Sequence, residues 1–246
     1  MKIVYGSDLH NEFEEQKTVP EFPEADLIIL AGDIHKGLIG PAWAGLMTAD
    51  SKTPVIYCVG NHEYYGYDKA ALDEIYNNWS HENVMILNPG VVEVGDFVII
   101  GATLHSALEL PNYKRYAPVA YERAVGDFIV TKGWTANAHV ARHQVELQFI
   151  VDNLIKYKDK RCIVVTHFVP TMQCIAPFFE GSDLNPYFVN NLDWLIDHYK
   201  PEAWIFGHTH TTYNKVHTNG KTKLLCKPRG YPGEKKPKYK WGEVDL

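Results

Sequence analysis

Five short stretches of this chain place carboxylates, an amide or imidazoles just past apolar runs: Asp8-Leu9-His10, Gly32-Asp33, Gly60-Asn61-His62-Glu63, Thr166-His167 and Gly207-His208-Thr209-His210. Imidazole nitrogen is the most common protein donor to transition metals. Two histidines at i, i+2 can both turn towards one point once the alternation of a strand is broken. Each motif alone is weak, since a DxH also reads as an Asx turn and paired histidines occur in loops that bind nothing. The repetition carries the weight. Asp8, His10, Asp33, Asn61, His62, His167, His208 and His210 are too many for one tetrahedral zinc, and they include no thiolate. Oxygen and imidazole donors suit a pair of divalent ions, with Mn2+ the first expectation and Fe2+, Zn2+ or Co2+ compatible. Two metals about 3.5–4 Å apart need a bridging ligand. Asp33, in the middle of the set, is the natural bridge.

The elements that must position these groups are legible in the pattern. Residues 2–5, 26–31, 54–59, 161–166 and 203–206 are short apolar runs of the kind found in sheets covered on both faces. In open α/β sheets ligands bind outside the carboxyl ends of the strands, where the five motifs fall. Strands are also expected at 84–87, 91–94 and 97–100, with a hairpin around Gly95-Asp96, and at 213–227 around Asn219-Gly220, which signals a type I′ turn. Helices are expected over 41–50, 68–79 (capped by Asp68), 137–157 and 187–199. His139 and His143 lie i, i+4 on the third of these. Without the glutamate of an HExxH motif, they read as packing groups or as supports rather than ligands. Residues 105–136, rich in Tyr and Pro, read as loops with a short helix near 118–128, and a rim over the site is the expectation.

A chain of 246 residues, 46% hydrophobic and 22% charged, can bury a large core, and no linker or repeat divides it. One domain over residues 1–246 is the expectation. The net charge of −6 argues against extended nucleic acid as a partner. The basic run at 235–240 reads as a solvated terminus. Cys58, Cys162, Cys174 and Cys226 form no CxxC pair, which suits reduced thiols. The chain enters a strand pattern at Met1, and no apolar stretch approaches the roughly 20 residues of a membrane span. A soluble, cytoplasmic protein with no membrane partner is expected.

In their order and approximate spacing, DxH, GD, GNHE, TH and GHTH resemble the calcineurin-like metallophosphoesterase superfamily, over residues 1 to about 230. The resemblance implies an α/β (α+β) fold: a two-sheet β-sandwich flanked by helices in four layers, with a dinuclear centre at the strand ends. It implies one metal held by Asp8, His10, Asp33 and His210, and another by Asp33, Asn61, His167 and His208. His62 would be the general acid or leaving-group stabiliser, oriented by Glu63. The implied activity is that of a phosphatase or phosphodiesterase, in which a metal-bridging hydroxide attacks a small phosphomonoester or phosphodiester. Lys36 stands where purple acid phosphatases carry a metal-binding tyrosine, which argues against a ferric tyrosinate centre. Phe168 replaces the polar residue or second histidine of many relatives. His35 could face substrate, or be a solvated loop histidine. Arg229, in Pro228-Arg229-Gly230-Tyr231, could reach a phosphate, or pair with a carboxylate. A non-catalytic protein-binding scaffold on the same fold is the competing reading. The filled ligand positions and the presence of His62 weigh against it.

Overall fold

The computed structural model describes residues 1–13, 19–234 and 237–246. Its first sheet contains β1 (Lys2–Gly6), β2 (Leu27–Ala31), β3 (Val55–Cys58), β4 (Val84–Leu87) and β11 (Gly242–Asp245), in the order β11-β1-β2-β3-β4. The second contains β5 (Gly90–Val94), β6 (Phe97–Ala102), β7 (Arg161–Thr166), β8 (Ala203–Phe206), β9 (Tyr213–Val216) and β10 (Lys223–Cys226), in the order β5-β6-β7-β8-β10-β9. The interior pairings are parallel, and β11, β5 and β9 close the edges antiparallel. The helices are α1 (Ile39–Met47), α2 (Lys69–Asn77), α3 (Pro118–Ala124), α4 (Asp127–Val130), α5 (Ala136–Lys156), α6 (Asn185–Phe188) and α7 (Asp193–Tyr199).

The period of two explains the layering. Ile3, Tyr5, Leu27, Ile29, Ile56 and Cys58 pack against Ile99, Ile163, Val165, Ile205 and Leu225 in the layer between the sheets. Their neighbours Val4, Ile28, Leu30, Val55 and Tyr57 face outward onto Ala44 and Trp43 of α1. In the second sheet Val98, Ile100, Val164, Trp204 and Leu224 turn the other way, onto Ile150 and Leu154 of α5 and Leu195 and Ile196 of α7. The central strands are apolar on both faces because both faces are covered. The result is an α/β fold of two mixed sheets between helical layers.

Three expectations need correction. The helix read over 187–199 is broken, because Asn190 and Leu192 donate backbone N–H bonds to Val169 and Pro170 instead of continuing a helical ladder. The hairpin between β9 and β10 forms, but Gly220 has φ 74° while Asn219 is not left-handed, so the turn is not type I′. Instead the Asn219 side-chain oxygen accepts from the Lys221 and Thr222 N–H groups and shapes a longer loop. Finally, the basic tail does not simply run into solvent. Lys235 and Lys236 lie outside the described residues, and Lys238 and Lys240 are exposed, but β11 then pairs with β1 and Trp241 is buried against Phe22. Among the described residues no helix is long and apolar enough to cross a membrane.

Candidate metal centre

The loops after β1, β2, β3, β7 and β8 converge, and they do so with an unusual backbone. Asp8 (φ 49°), His10 (49°), Asp33 (57°), His208 (66°) and His210 (50°) are all left-handed. That conformation costs a non-glycine residue on the order of 1 kcal/mol and persists only where surrounding structure enforces it. Here backbone bonds lace the loops together: Asp8 N–H to Gly32 O, His10 N–H to Asp33 O, and Gly207 N–H to His167 O. The left-handed steps break the strand alternation and send both members of each i, i+2 pair to the same side.

The donors meet in two groupings. His10 Nε2 lies 3.1 Å from His210 Nε2, which is 3.4 Å from Asp8 Oδ1. His167 Nε2 lies 2.9 Å from Asn61 Oδ1, 3.2 Å from His208 Nδ1 and 3.3 Å from Asp33 Oδ2. Two donors bound at about 2.1 Å to one ion, about 90° apart, sit about 3 Å from each other, so these spacings are those of a coordination shell. Asp33 belongs to a compact cluster with His167 and His208 and to another with His10 and His62, which places it between the groupings. Its Oδ1 accepts the His62 N–H at 2.9 Å, leaving Oδ2 on the side of His167.

Charge points the same way. Asp8 and Asp33 are buried almost completely, and burial alone would raise their pKa. The imidazoles override it: His210 holds Asp8 low, and His167 and His62 hold Asp33 low. Conversely, burial would depress His167, yet Asp33 and Asp8 push it up to about 10. Burial likewise opposes the charge of His210, but Asp8 and Glu234 raise it to about 9. Buried carboxylates need a counter-charge. A divalent cation supplies that charge and lets the rings offer lone pairs, so the residues present fit a metal. His208 fits as well: Phe168 stacks on its ring with centroids 4.1 Å apart, and its buried Nε2 has no hydrogen-bond partner among the described residues. Its Nδ1, 3.2 Å from His167 Nε2, is the nitrogen that faces the site.

His62 sits beside these donors. Its Nδ1 is 2.8 Å from Glu12 Oε1, its Nε2 is 2.9 Å from the Tyr231 hydroxyl, and its ring lies against Tyr65. The same Glu12 oxygen is 3.1 Å from His10 Nδ1. Glu12 was not legible as a site residue, although it extends the first motif to DxHxE. It holds the orienting position expected for Glu63. Glu63 faces elsewhere because successive residues of the 3-10 turn His62–Tyr64 point about 120° apart. Its carboxylate accepts from the N–H groups of Asp33 (3.0 Å), Ile34 (2.9 Å) and Gly60 (2.8 Å) and from the Tyr57 hydroxyl (2.7 Å), tying two ligand loops together. Replacing Glu12 by alanine is expected to lower metal retention and turnover together, by about 10–100-fold, as is usual for residues that orient ligands. Dialysis followed by metal analysis, alongside kcat, would check this.

Glycine before the third motif is required by space. A Cβ on Gly60 would lie 2.2 Å from Asp33 Oδ1 and 2.6 Å from Asp33 N. Gly60→Ala should therefore displace Asp33 and weaken metal binding by about tenfold or more without removing a ligand. A metal titration of the variant would show it.

The 105–136 segment reaches the centre through Asp127. Asn61 Nδ2 donates to the Tyr65 hydroxyl at 3.2 Å, and the Tyr65 and Tyr187 hydroxyls both donate to the buried Asp127 carboxylate. His139 and His143 lie away from the ligand groupings: His139 Nε2 accepts the Ser106 N–H at 2.9 Å, and His143 Nδ1 is 2.6 Å from the His105 carbonyl. His35 Nδ1 is 3.3 Å from the Lys36 carbonyl, and the Arg229 guanidinium is 3.5 Å from Asn11 Oδ1. Neither joins a ligand grouping.

Comparison with known proteins places this geometry in context. A family model described as calcineurin-like phosphoesterase matches residues 1–212. An uncharacterized protein of Acanthamoeba polyphaga mimivirus is 26% identical over 180 residues, covering 64% of this chain and 62% of that protein, so the chain spans under two thirds of that relative. The crystal structure of the phosphopantetheinyl hydrolase of Mycobacterium tuberculosis superposes with a TM-score of 0.77 at 19% identity, over 99% of this chain and 95% of that one. A protein described as the anchor in the inner membrane complex of Plasmodium shares the fold more distantly, with a TM-score of 0.51, 13% identity and coverage of 97% and 75%. At such identities these two likenesses are of fold alone.

Proposed function

The chain belongs to the calcineurin-like phosphoesterase family, and we propose on that premise that it is a dinuclear-metal-dependent hydrolase of a small phosphomonoester or phosphodiester. The observation that carries the proposal is that Asp33 joins two compact clusters of donors, one with His167 and His208 and one with His10 and His62. Asp8, His10, Asp33 and His210 would hold one ion, and Asp33, Asn61, His167 and His208 the other, with Mn2+ the first metal to try. Two such cations neutralise the anionic oxygens of a phosphate ester and make water acidic enough to attack near neutral pH.

The remaining work falls to His62. Burial opposes its protonation, but Asp33 and Glu12 more than offset that and raise its pKa. Glu12 accepts the Nδ1 proton and fixes the ring, so that Nε2 faces the site and can give its proton to a departing alkoxide. Glu63 keeps the Asp33 and Gly60 loops in register. The acidic chain suits a small substrate rather than extended nucleic acid, and four buried free cysteines suit a reducing, cytoplasmic setting. The likeness to a phosphopantetheinyl hydrolase makes a phosphopantetheinyl ester one substrate class to include.

The test is hydrolysis of p-nitrophenyl phosphate and bis-p-nitrophenyl phosphate by Mn2+-loaded protein. Turnover of either supports the reading, and their ratio separates phosphatase from phosphodiesterase. Two bound metals with no turnover of these or of phosphopantetheinyl esters would favour the scaffold reading instead.

A further inference from the structure

One side chain from the end of the Pro228-Arg229-Gly230-Tyr231 segment lies over the side of the centre to which His62 Nε2 points. The Tyr231 ring lies over His10 with centroids 4.3 Å apart and against His210 at 4.5 Å, and Phe13 meets it edge-on at 5.9 Å. Its hydroxyl is 2.9 Å from His62 Nε2. That nitrogen has a single in-plane hydrogen-bonding position, and it is the one that must meet the leaving oxygen of an ester. The Tyr231 hydroxyl and a leaving group cannot both hold it.

We propose that Tyr231 is a leaving-group specificity residue: substrate displaces its hydroxyl from His62 Nε2, and its ring then forms a wall against which a flat leaving group lies. This rests on the hydrolase reading above. The local backbone is built for such an exchange. On one side Arg229 and Gly230 donate N–H bonds to Ser7 O (3.1 Å) and Asp8 O (2.9 Å), which anchors the segment to the first ligand loop. Beyond that anchor, Tyr231 and Pro232 stand between Gly230 (φ 85°) and Gly233 (φ 83°), two left-handed positions that glycine adopts without steric cost. On the far side Glu234 Oε1 accepts from the Tyr231 N–H at 3.2 Å and lies 2.7 Å from His210 Nδ1. The segment is thus a short strap tied to the centre at both ends, and Tyr231 between them is 40% exposed. An aromatic face rewards flat partners through stacking and repays an alkyl group less.

Tyr231→Phe removes the hydroxyl and keeps the wall. A hydrogen bond of ordinary net strength is worth roughly 2- to 12-fold in an equilibrium constant. The variant should therefore bind inorganic phosphate, which is not hydrolysed and can place an oxygen where the leaving oxygen of an ester would lie, tighter by that factor in calorimetry on metal-loaded protein. It should also raise kcat/KM for both p-nitrophenyl phosphate and glycerol phosphate without lowering kcat. Tyr231→Ala should lower kcat/KM for the aryl ester relative to the alkyl one. Unchanged or weaker phosphate binding by Tyr231→Phe would overturn the displacement, as would a fall in kcat like that of a lost proton donor. An unchanged aryl-to-alkyl ratio in Tyr231→Ala would overturn the wall. Phosphate binding that follows the prediction in a protein that hydrolyses no ester would strike the hydrolase reading and the leaving-group role with it, and keep only the displacement of the Tyr231 hydroxyl by a bound oxyanion.

Discussion

Replacing His62 by alanine should remove about 10²–10⁴-fold of turnover while the protein still binds about two metals per chain. Both ring nitrogens of His62 are engaged away from the ligand groupings, Nδ1 by Glu12 and Nε2 by the Tyr231 hydroxyl. Its Nε2 stands 3.9 Å from Asp33 Oδ2, close enough to serve the reacting ester but outside the 3.1–3.4 Å spacings among the imidazole and aspartate donors. Loss of the proton donor should matter most where the leaving group is a poor one. The deficit should therefore be larger for an alkyl phosphate than for p-nitrophenyl phosphate, whose leaving group departs with little help. His62 also forms a compact cluster with His10 and Asp33, so metal content must be read on the same sample. Loss of metal in His62→Ala would make it a ligand rather than an acid.

The second large effect is expected at Asp33. Its alanine variant takes the carboxylate from both clusters that Asp33 joins, with His167 and His208 and with His10 and His62, and uncouples His62, whose backbone N–H it accepts. The variant should retain less than one metal per chain and fall to background turnover. Asp33→Asn keeps the shape and the acceptor for the His62 N–H but lacks the charge, and it should recover thermal stability without recovering metal. Full metal content in Asp33→Ala would remove it as the bridge. Recovery of activity in Asp33→Asn would show that its charge is dispensable.

The convergence of these donors was legible because parallel strands buried on both faces leave continuous apolar runs, and each run stops where the donor residues begin. Glycine next to Asp33 and next to Asn61 was a further clue, explained by the missing space around Asp33 and His167. Side-chain direction past a strand was not legible. Nothing in the sequence says that a 3-10 turn sends Glu63 into the loop backbones while Glu12, two residues after His10, reaches both His10 and His62. Tyr231 stands in a segment whose charged residue, Arg229, is by residue type the more obvious phosphate contact. The break after α6 and the pairing of β11 on β1 depend on partners far along the chain, which local periodicity does not encode. Likewise, Asp127 reaches Asn61 through Tyr65, a link made by tertiary packing.

The most direct test of a dinuclear hydrolase is to titrate metal-free protein with Mn2+ while following bound metal and ester hydrolysis on the same samples. The account predicts no turnover without metal and a rise in activity that levels off near two ions per chain. Full turnover in the metal-free protein, or saturation of activity at a single ion, would contradict it.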